Sequence, residues 1–186
     1  MIRLITSLFA AVAAIASLGC GPRTTSPVAP ACETLSKETV SQVQGEPVLE
    51  AKGSQATSGD ISISQCFYKL PTFSKSVNLE ITQGSAQAID AYWNKRFRDR
   101  ALSEEEEEEL ERDKKEGKAG ESKASGPEPV SGFGDEAFWT ASQINGSLFV
   151  RRGTVVYRIG LGGAEDSAAK LDKAKALANS FLNKKN

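Results

Sequence analysis

Apolar residues recur along this chain with different periods, and each period predicts a different element. Between Cys32 and Gln44, Leu35, Val40 and Val43 are spaced for one helical face, and Gly45 and Pro47 follow, so a short first helix is expected. In "DISISQCFYKL", Ile61, Ile63 and Phe67 alternate with Ser62, Ser64 and Cys66, the period of a strand with one buried, apolar face. "SVNLEIT" repeats the alternation with Val77, Leu79 and Ile81, and the two strands read as a hairpin around Pro71. In "SAQAIDAYWNKRFRDR", Ile89, Trp93 and Phe97 stand at i, i+4 and i+8, which predicts an amphipathic helix. Asn145-Gly146 and Arg152-Gly153 are turn signals that divide "EAFWTASQINGSLFVRRGTVVYRIGL" into a three-stranded meander, with Val155, Tyr157, Ile159 and Leu161 on one face of its last strand. The chain closes on a helix with Leu171, Ala174, Ala178 and Phe181 on one side and lysines on the other.

The expected order is therefore α-β-β-α-β-β-β-α. Such an order builds an α+β fold, an antiparallel sheet of about five strands covered on one face by helices. It is split by "LSEEEEEELERDKKEGKAGESKASGPEP", whose glutamates and lysines can pair at i, i+4 but which has only Leu110 to pack. Residues 103–130 are read as a charged insert, a helical spur or disordered linker, between domain parts 32–102 and 131–186.

The first residues have another character. "MIRLITSLFAAVAAIASLGC" opens with Arg3 and then runs uncharged for about fifteen residues, short of the roughly 20 that a membrane-spanning helix needs. A charge, an apolar run and small residues make up a secretory signal, here residues 1–19. Ser17-Leu18-Gly19-Cys20 resembles the lipobox of bacterial lipoproteins, which implies that Cys20 is acylated and becomes the new N-terminus. The partner so implied is a membrane, reached through lipid. The stretch that follows, residues 20–31, carries Pro22, Pro27 and Pro30 and reads as a semi-rigid tether.

Export places the other cysteines where a disulfide persists, and with Cys20 acylated the remaining count is even. A Cys32–Cys66 bridge is expected, the alternatives being two free thiols or a redox pair.

Across the 186 residues the net charge is -1 and there is no histidine. No basic stripe tracks phosphates, so nucleic acid is not expected as a partner. Ser-His and Cys-His nucleophile pairs are absent, and no metal or cofactor is expected. "SGFGDEAFW" joins flexible glycines to the carboxylates of Asp135 and Glu136 and the aromatics Phe133 and Trp139, a possible ligand or interaction rim, or else a turn whose aromatics enter the core. A two-carboxylate hydrolase would have to combine Asp135 or Glu136 with Glu80 or Asp60. Arg151 and Arg152 at a hairpin tip offer an anion site, though arginines there are more often simply solvated.

Taken together, the lipobox, the cysteine opening the first helix, "QCFYKL", "GFGDEAFW", "SLFVRRGTVVYRIGL" and the Ala-rich final helix are similar to small bacterial lipoproteins of unknown function. Their domains resemble extracytoplasmic sensor domains and PsbP-like α/β sandwiches. The resemblance implies that Cys32 and Cys66 are paired, that no catalytic residue carries over, and that the role is envelope-associated binding of a protein or small ligand. The expected function is a non-catalytic, lipid-anchored module of the cell envelope, extracytoplasmic and permitted at an outer membrane. A hydrolase of envelope polymers and a subunit of an envelope assembly are the alternatives.

Overall fold

Ser36 shows how local chemistry sets the first elements of the computed structural model, which describes residues 28–98 and 125–183. Its hydroxyl accepts the Thr39 N–H at 3.2 Å and so starts α2 (Lys37–Gln44), separating it from the single turn α1 (Ala31–Thr34). The expected first helix is thus two, with buried Leu35 at the joint. Gly45, at φ 72°, ends α2 in the left-handed conformation a glycine adopts without strain.

The chain continues through β1 (Glu50–Ser58), β2 (Ile61–Lys69), a 3₁₀ turn (Phe73–Lys75), β3 (Val77–Gly84) and α3 (Ala86–Phe97). After residues 99–124 come β4 (Ser125–Pro129), β5 (Glu136–Ala141), β6 (Asn145–Arg152), β7 (Val155–Gly162) and α4 (Ser167–Leu182). The strands form one antiparallel sheet in the order β1-β2-β3-β7-β6-β5-β4. The hairpin around Pro71 and the β5–β6–β7 meander both form as expected.

The fold is α+β, but the sheet has seven strands rather than about five. β1 carries no apolar alternation because it is exposed along nearly its whole length, with only Ala51 half-buried; pairing to β2, the Thr57–Ser62 hydroxyl bond and contacts from α1 hold it. β4 falls inside the segment 103–130 read as linker. Its Pro127 and Pro129 suit an edge strand, where a missing N–H costs no ladder bond, and its register with β5 shifts between Ser125 and Glu128.

Helices cover both faces, not one. Leu79, Ile81, Trp139, Leu148, Val150, Ile159 and Leu161 pack on one side with Leu35, Val40 and residues Ala174, Leu177 and Ala178 of α4. On the other side Phe149 and Val156 pack with Ile89 and Trp93 of α3, joined by Phe97 and Phe138. β6 is buried without a break from Gly146 to Val150, as a strand covered on both faces must be.

Two side-chain assignments are overturned. In β2 the buried residues are Ser62, Ser64, Cys66 and Tyr68, while Ile61 and Ile63 are half-buried and Phe67 is exposed. Polar partners settle the matter: Ser64 Oγ accepts the Ala31 N–H at 2.9 Å, and the Tyr68 hydroxyl donates to the Leu35 carbonyl at 2.5 Å. Burial without water raises the Tyr68 pKa to about 12. In α4, Lys170 is buried rather than solvated, its ammonium donating to the Gln143 carbonyl at 3.0 Å.

Asn145-Gly146 opens β6, and the preceding turn spans Ser142 to Ile144. Gly146 is required for close approach: a Cβ there would lie 2.2 Å from the Trp139 ring. The signal peptide, Cys20, the tether as far as residue 27, residues 99–102 and residues 103–124 of the insert lie outside the described residues.

Candidate functional site

Cys32 and Cys66 are bonded, with their Cα atoms 5.1 Å apart, which clips α1 onto the middle of β2. Of the predicted site residues this pair alone acts as a unit.

Phe133, Asp135, Glu136 and Trp139 do not converge on a rim: the alternation of β5 sends Glu136 and Trp139 to opposite sides, and Phe133 and Asp135 lie in the turn before the strand. Trp139 is buried in the larger core and donates its indole N–H to Ser167 Oγ at 2.9 Å, and Phe133 packs against the same core. Glu136 faces α3, accepting the Trp93 indole N–H at 3.0 Å and the Arg98 guanidinium at 2.7 Å. Those donors, Trp93 first, lower its pKa below the ordinary carboxylate value. Asp135 is a turn residue whose carboxylate accepts the Gly153 N–H at 2.5 Å.

The carboxylates proposed for hydrolysis are likewise apart. Glu80 on β3 and Glu136 on β5 stand three strands from each other, roughly 14 Å at the sheet spacing, whereas hydrolytic pairs sit within about 9.5 Å. Asp60 lies in the β1–β2 turn, where it accepts the Ser85 hydroxyl at 3.3 Å. Arg151 pairs with Asp90, and Arg152 donates to the Leu182 carbonyl at 3.2 Å, so both arginines tie the hairpin to neighbouring helices. Among the described residues no cluster of His, Cys, Asp and Glu side chains is grouped to hold a metal ion.

The structure instead opens a cleft of about 360 Å³ on the face of the sheet that α3 only partly covers. Register places its floor. Phe67, Asn78, Gly160 and Ser147 form one row across β2, β3, β7 and β6, and Arg158 lines the cleft from the next row, where Glu80 and Phe149 are its neighbours in register outside the lining. The 3₁₀ turn supplies a wall through Phe73, Ser74 and Ser76, and Asn145 closes the end. Phe67 and Phe73 meet with ring centroids 6.1 Å apart at 52°, an apolar corner open to solvent.

Glycines shape this cleft. At Gly162 a Cβ would stand 2.1 Å from the Ser74 carbonyl oxygen, so the turn can cross the strand only above a glycine. At Gly160 a Cβ would meet Asn78 Cβ and Ser147 Oγ at 3.7 Å, an ordinary contact, so the floor is left low without a steric demand for it.

Glu46 braces the wall. Its carboxylate accepts the Thr72 N–H at 3.0 Å and the Lys75 ammonium at 2.8 Å, and these bonds, Lys75 first, lower its pKa to about 2. Gln44 adds a bond from its amide to the Lys75 carbonyl at 2.6 Å.

None of the cleft residues was singled out from the sequence as a site. The available signal was "YRIGLGG", where Arg158, Gly160 and Gly162 interrupt an apolar strand on one parity only. Glycine inside a strand marks close approach of another group.

The chain is similar in fold to the extracellular domain of PknH from Mycobacterium tuberculosis, with a TM-score of 0.50 and 11% sequence identity over 86% of this chain and 99% of that one. A GTP binding regulator from Thermotoga maritima matches with a TM-score of 0.41 and 12% identity, over 84% of this chain and 95% of that one. No protein-family model and no curated protein matches the sequence. What the first likeness establishes is the α+β architecture shared with a domain that is extracellular in its own protein.

Proposed function

We propose that this chain is a lipid-anchored binding module on the extracytoplasmic side of a bacterial cell envelope, and that it holds a small ligand in the open-face cleft without catalysis. The observation that carries the reading is the bare, concave stretch of sheet between α3 and the 3₁₀ turn. It is lined by amide, hydroxyl and guanidinium groups beside two exposed phenylalanines. Proteins leave large aromatics in water at few places, and binding sites are prominent among them.

Placement outside the cytosol draws support from the Cys32–Cys66 bridge, a bond that persists in oxidising compartments, and from the signal-like N-terminus. The anchor rests on the Ser17-Leu18-Gly19-Cys20 pattern. In a bacterial host the full chain should yield an N-terminal peptide with a diacylglycerol thioether on Cys20, and Cys20→Ala should leave the membrane fraction. An unmodified Cys20 peptide refutes the anchor.

For the cleft, the purified full chain is exposed to small-molecule fractions of a bacterial envelope extract, and ligand-dependent rises in Tm are recorded. Gly160→Val raises the floor of the cleft and should abolish the response. A response that survives Gly160→Val, or no response in the unsubstituted chain, refutes the cleft as the site.

A further inference from the structure

The cleft joins a cation to groups that both donate and accept. Arg158 directs its Nε at Ser147 Oγ, 3.4 Å away, and its guanidinium lies 5.6 Å from the centre of the Phe149 ring. Arg96 of α3 covers the same ring at 4.3 Å. Glu80 faces Arg158 across the β3–β7 pair, but one of its oxygens accepts the Gln65 amide at 2.7 Å. Among the described residues no carboxylate pairs with Arg158 within 4.0 Å. Among the described residues its terminal nitrogens are therefore unclaimed by carboxylates, and they stand beside a concave surface.

Asn78 and Asn145 each offer a carbonyl and an amide, and Ser74, Ser76 and Ser147 offer hydroxyls. Vicinal sugar hydroxyls need such partners, because each must donate and accept. The Phe67–Phe73 corner supplies a surface for the C–H face of a sugar ring. A volume of about 360 Å³ is small for a ligand pocket, which suits one or two rings rather than a run of polymer.

Other classes fit less well. An extended peptide docks by adding to a free strand edge, but the floor strands β3, β7 and β6 are each paired on both sides. A phosphate carrying nearly two charges would meet one lining cation, whereas a guanidinium fork matches a single carboxylate.

From these groups we infer that the ligand is a carboxylated saccharide, its carboxylate on Arg158, its hydroxyls on Asn78, Asn145 and Ser147, and its apolar face on Phe67 and Phe73. The inference rests on the cleft being the binding site.

Matched acidic and neutral sugars test it on the full chain: N-acetylmuramic acid against N-acetylglucosamine, and glucuronic acid against glucose, titrated into the millimolar range by ligand-observed NMR. The acidic member of a pair should bind about tenfold more tightly, the worth of one charge-assisted hydrogen bond. Arg158→Gln should erase that preference, and Gly160→Val should remove binding of both members. Asn78→Leu, which blocks the cleft from β3, repeats the last test with a second variant. Equal binding within the pairs, or a preference that survives Arg158→Gln, overturns the acidic-sugar assignment. If no sugar binds while envelope fractions still stabilise the unsubstituted chain and not Gly160→Val, the ligand class is overturned and the cleft stands. Sugar binding that persists in both Gly160→Val and Asn78→Leu overturns the cleft with it.

Discussion

Replacing Cys32 and Cys66 together by alanine removes the only covalent link between α1 and the sheet among the described residues. The bridge spans a sequence separation of 34, and the chain-entropy relation values such a loop at about 3.8 kcal/mol. That is a large part of the roughly 5–15 kcal/mol that holds an ordinary domain folded. With a urea dependence of about 2 kcal/mol per molar, the unfolding midpoint should fall by about 2 M. Fluorescence follows the transition on both sides of the sheet, since Trp139 lies in the larger core and Trp93, on α3, packs against the opposite face. Hydrogen exchange should localise the change, because the Ala31 N–H bond to Ser64 and the Tyr68 bond to Leu35 both cross the bridged contact. Amides 31–35 should lose protection first. A midpoint shift below about 0.5 M, with unchanged slope, would refute the claim that the bridge is what holds the N-terminal helices to β2.

Gly146→Ala forces a methyl to within 2.2 Å of Trp139, and overpacking of that kind costs about 1–3 kcal/mol, whereas Gly160→Ala should be near neutral; urea melts that rank the two equally contradict the packing. Tyr68→Phe strands the Leu35 carbonyl and should cost about 1–3 kcal/mol. Because the Tyr68 pKa is raised from 10.0 to about 12, the stability tied to its neutral form is complete below about pH 10 and is lost as pH rises through about 12. Urea melts from about pH 8 to about pH 11 should show that alkaline loss in the unsubstituted chain and a smaller one in Tyr68→Phe. The Glu46 carboxyl is lowered from 4.5 to about 2, so its hold on the 3₁₀ turn is complete above about pH 4.5 and fades as pH falls through about 2. Glu46→Gln should speed exchange of the Thr72 amide at neutral pH and weaken whatever binds in the cleft; unaltered exchange would remove Glu46 as its brace.

Much of the element order could be read from the sequence, since β3, α3 and α4 each carry a one-sided apolar stripe and turn signals divide the meander. What escaped the reading is where a stripe was missing or misleading. β1, "EAKGSQATS", is exposed on both faces and so has no stripe to show. In β2 the isoleucines suggested one inward face, yet the serines are inward because each finds a hydrogen-bond partner there. The parity of Cys66 contained the answer: a cysteine bonded to the first helix must face that helix, and Ser62, Ser64 and Tyr68 share its side. Phe67 must then face the other way. In "SGFGDEAFW" the aromatics entered the core as the blander reading had it, while the cleft went unseen because its lining comes from β2, β3, β6, β7 and a turn. Distances between strands that far apart in sequence are not visible in any local pattern.

An exposed stretch on this second face follows from widths alone. Seven strands at about 4.8 Å spacing make a sheet roughly 29 Å across. The first face receives α1, α2 and α4, and its apolar residues are covered from β2 to β5. Among the described residues the second receives α3 alone, and a helix about 10 Å in diameter covers two or so strands. Where α3 lies, the sheet presents Phe149, Val156 and Phe138; where it does not, the same face turns to Asn78, Ser147, Arg158 and Gly160. Uncovered sheet in a protein selected only for solubility would be polar, with the twist any open sheet has. This one is polar and concave, with a low glycine floor, a turn pinned over Gly162 and two phenylalanines left in water at its edge. Solubility accounts for the polar lining and the steric demand at Gly162 for the pinned turn, while the low floor and the two exposed phenylalanines are the features on which the proposed binding role rests.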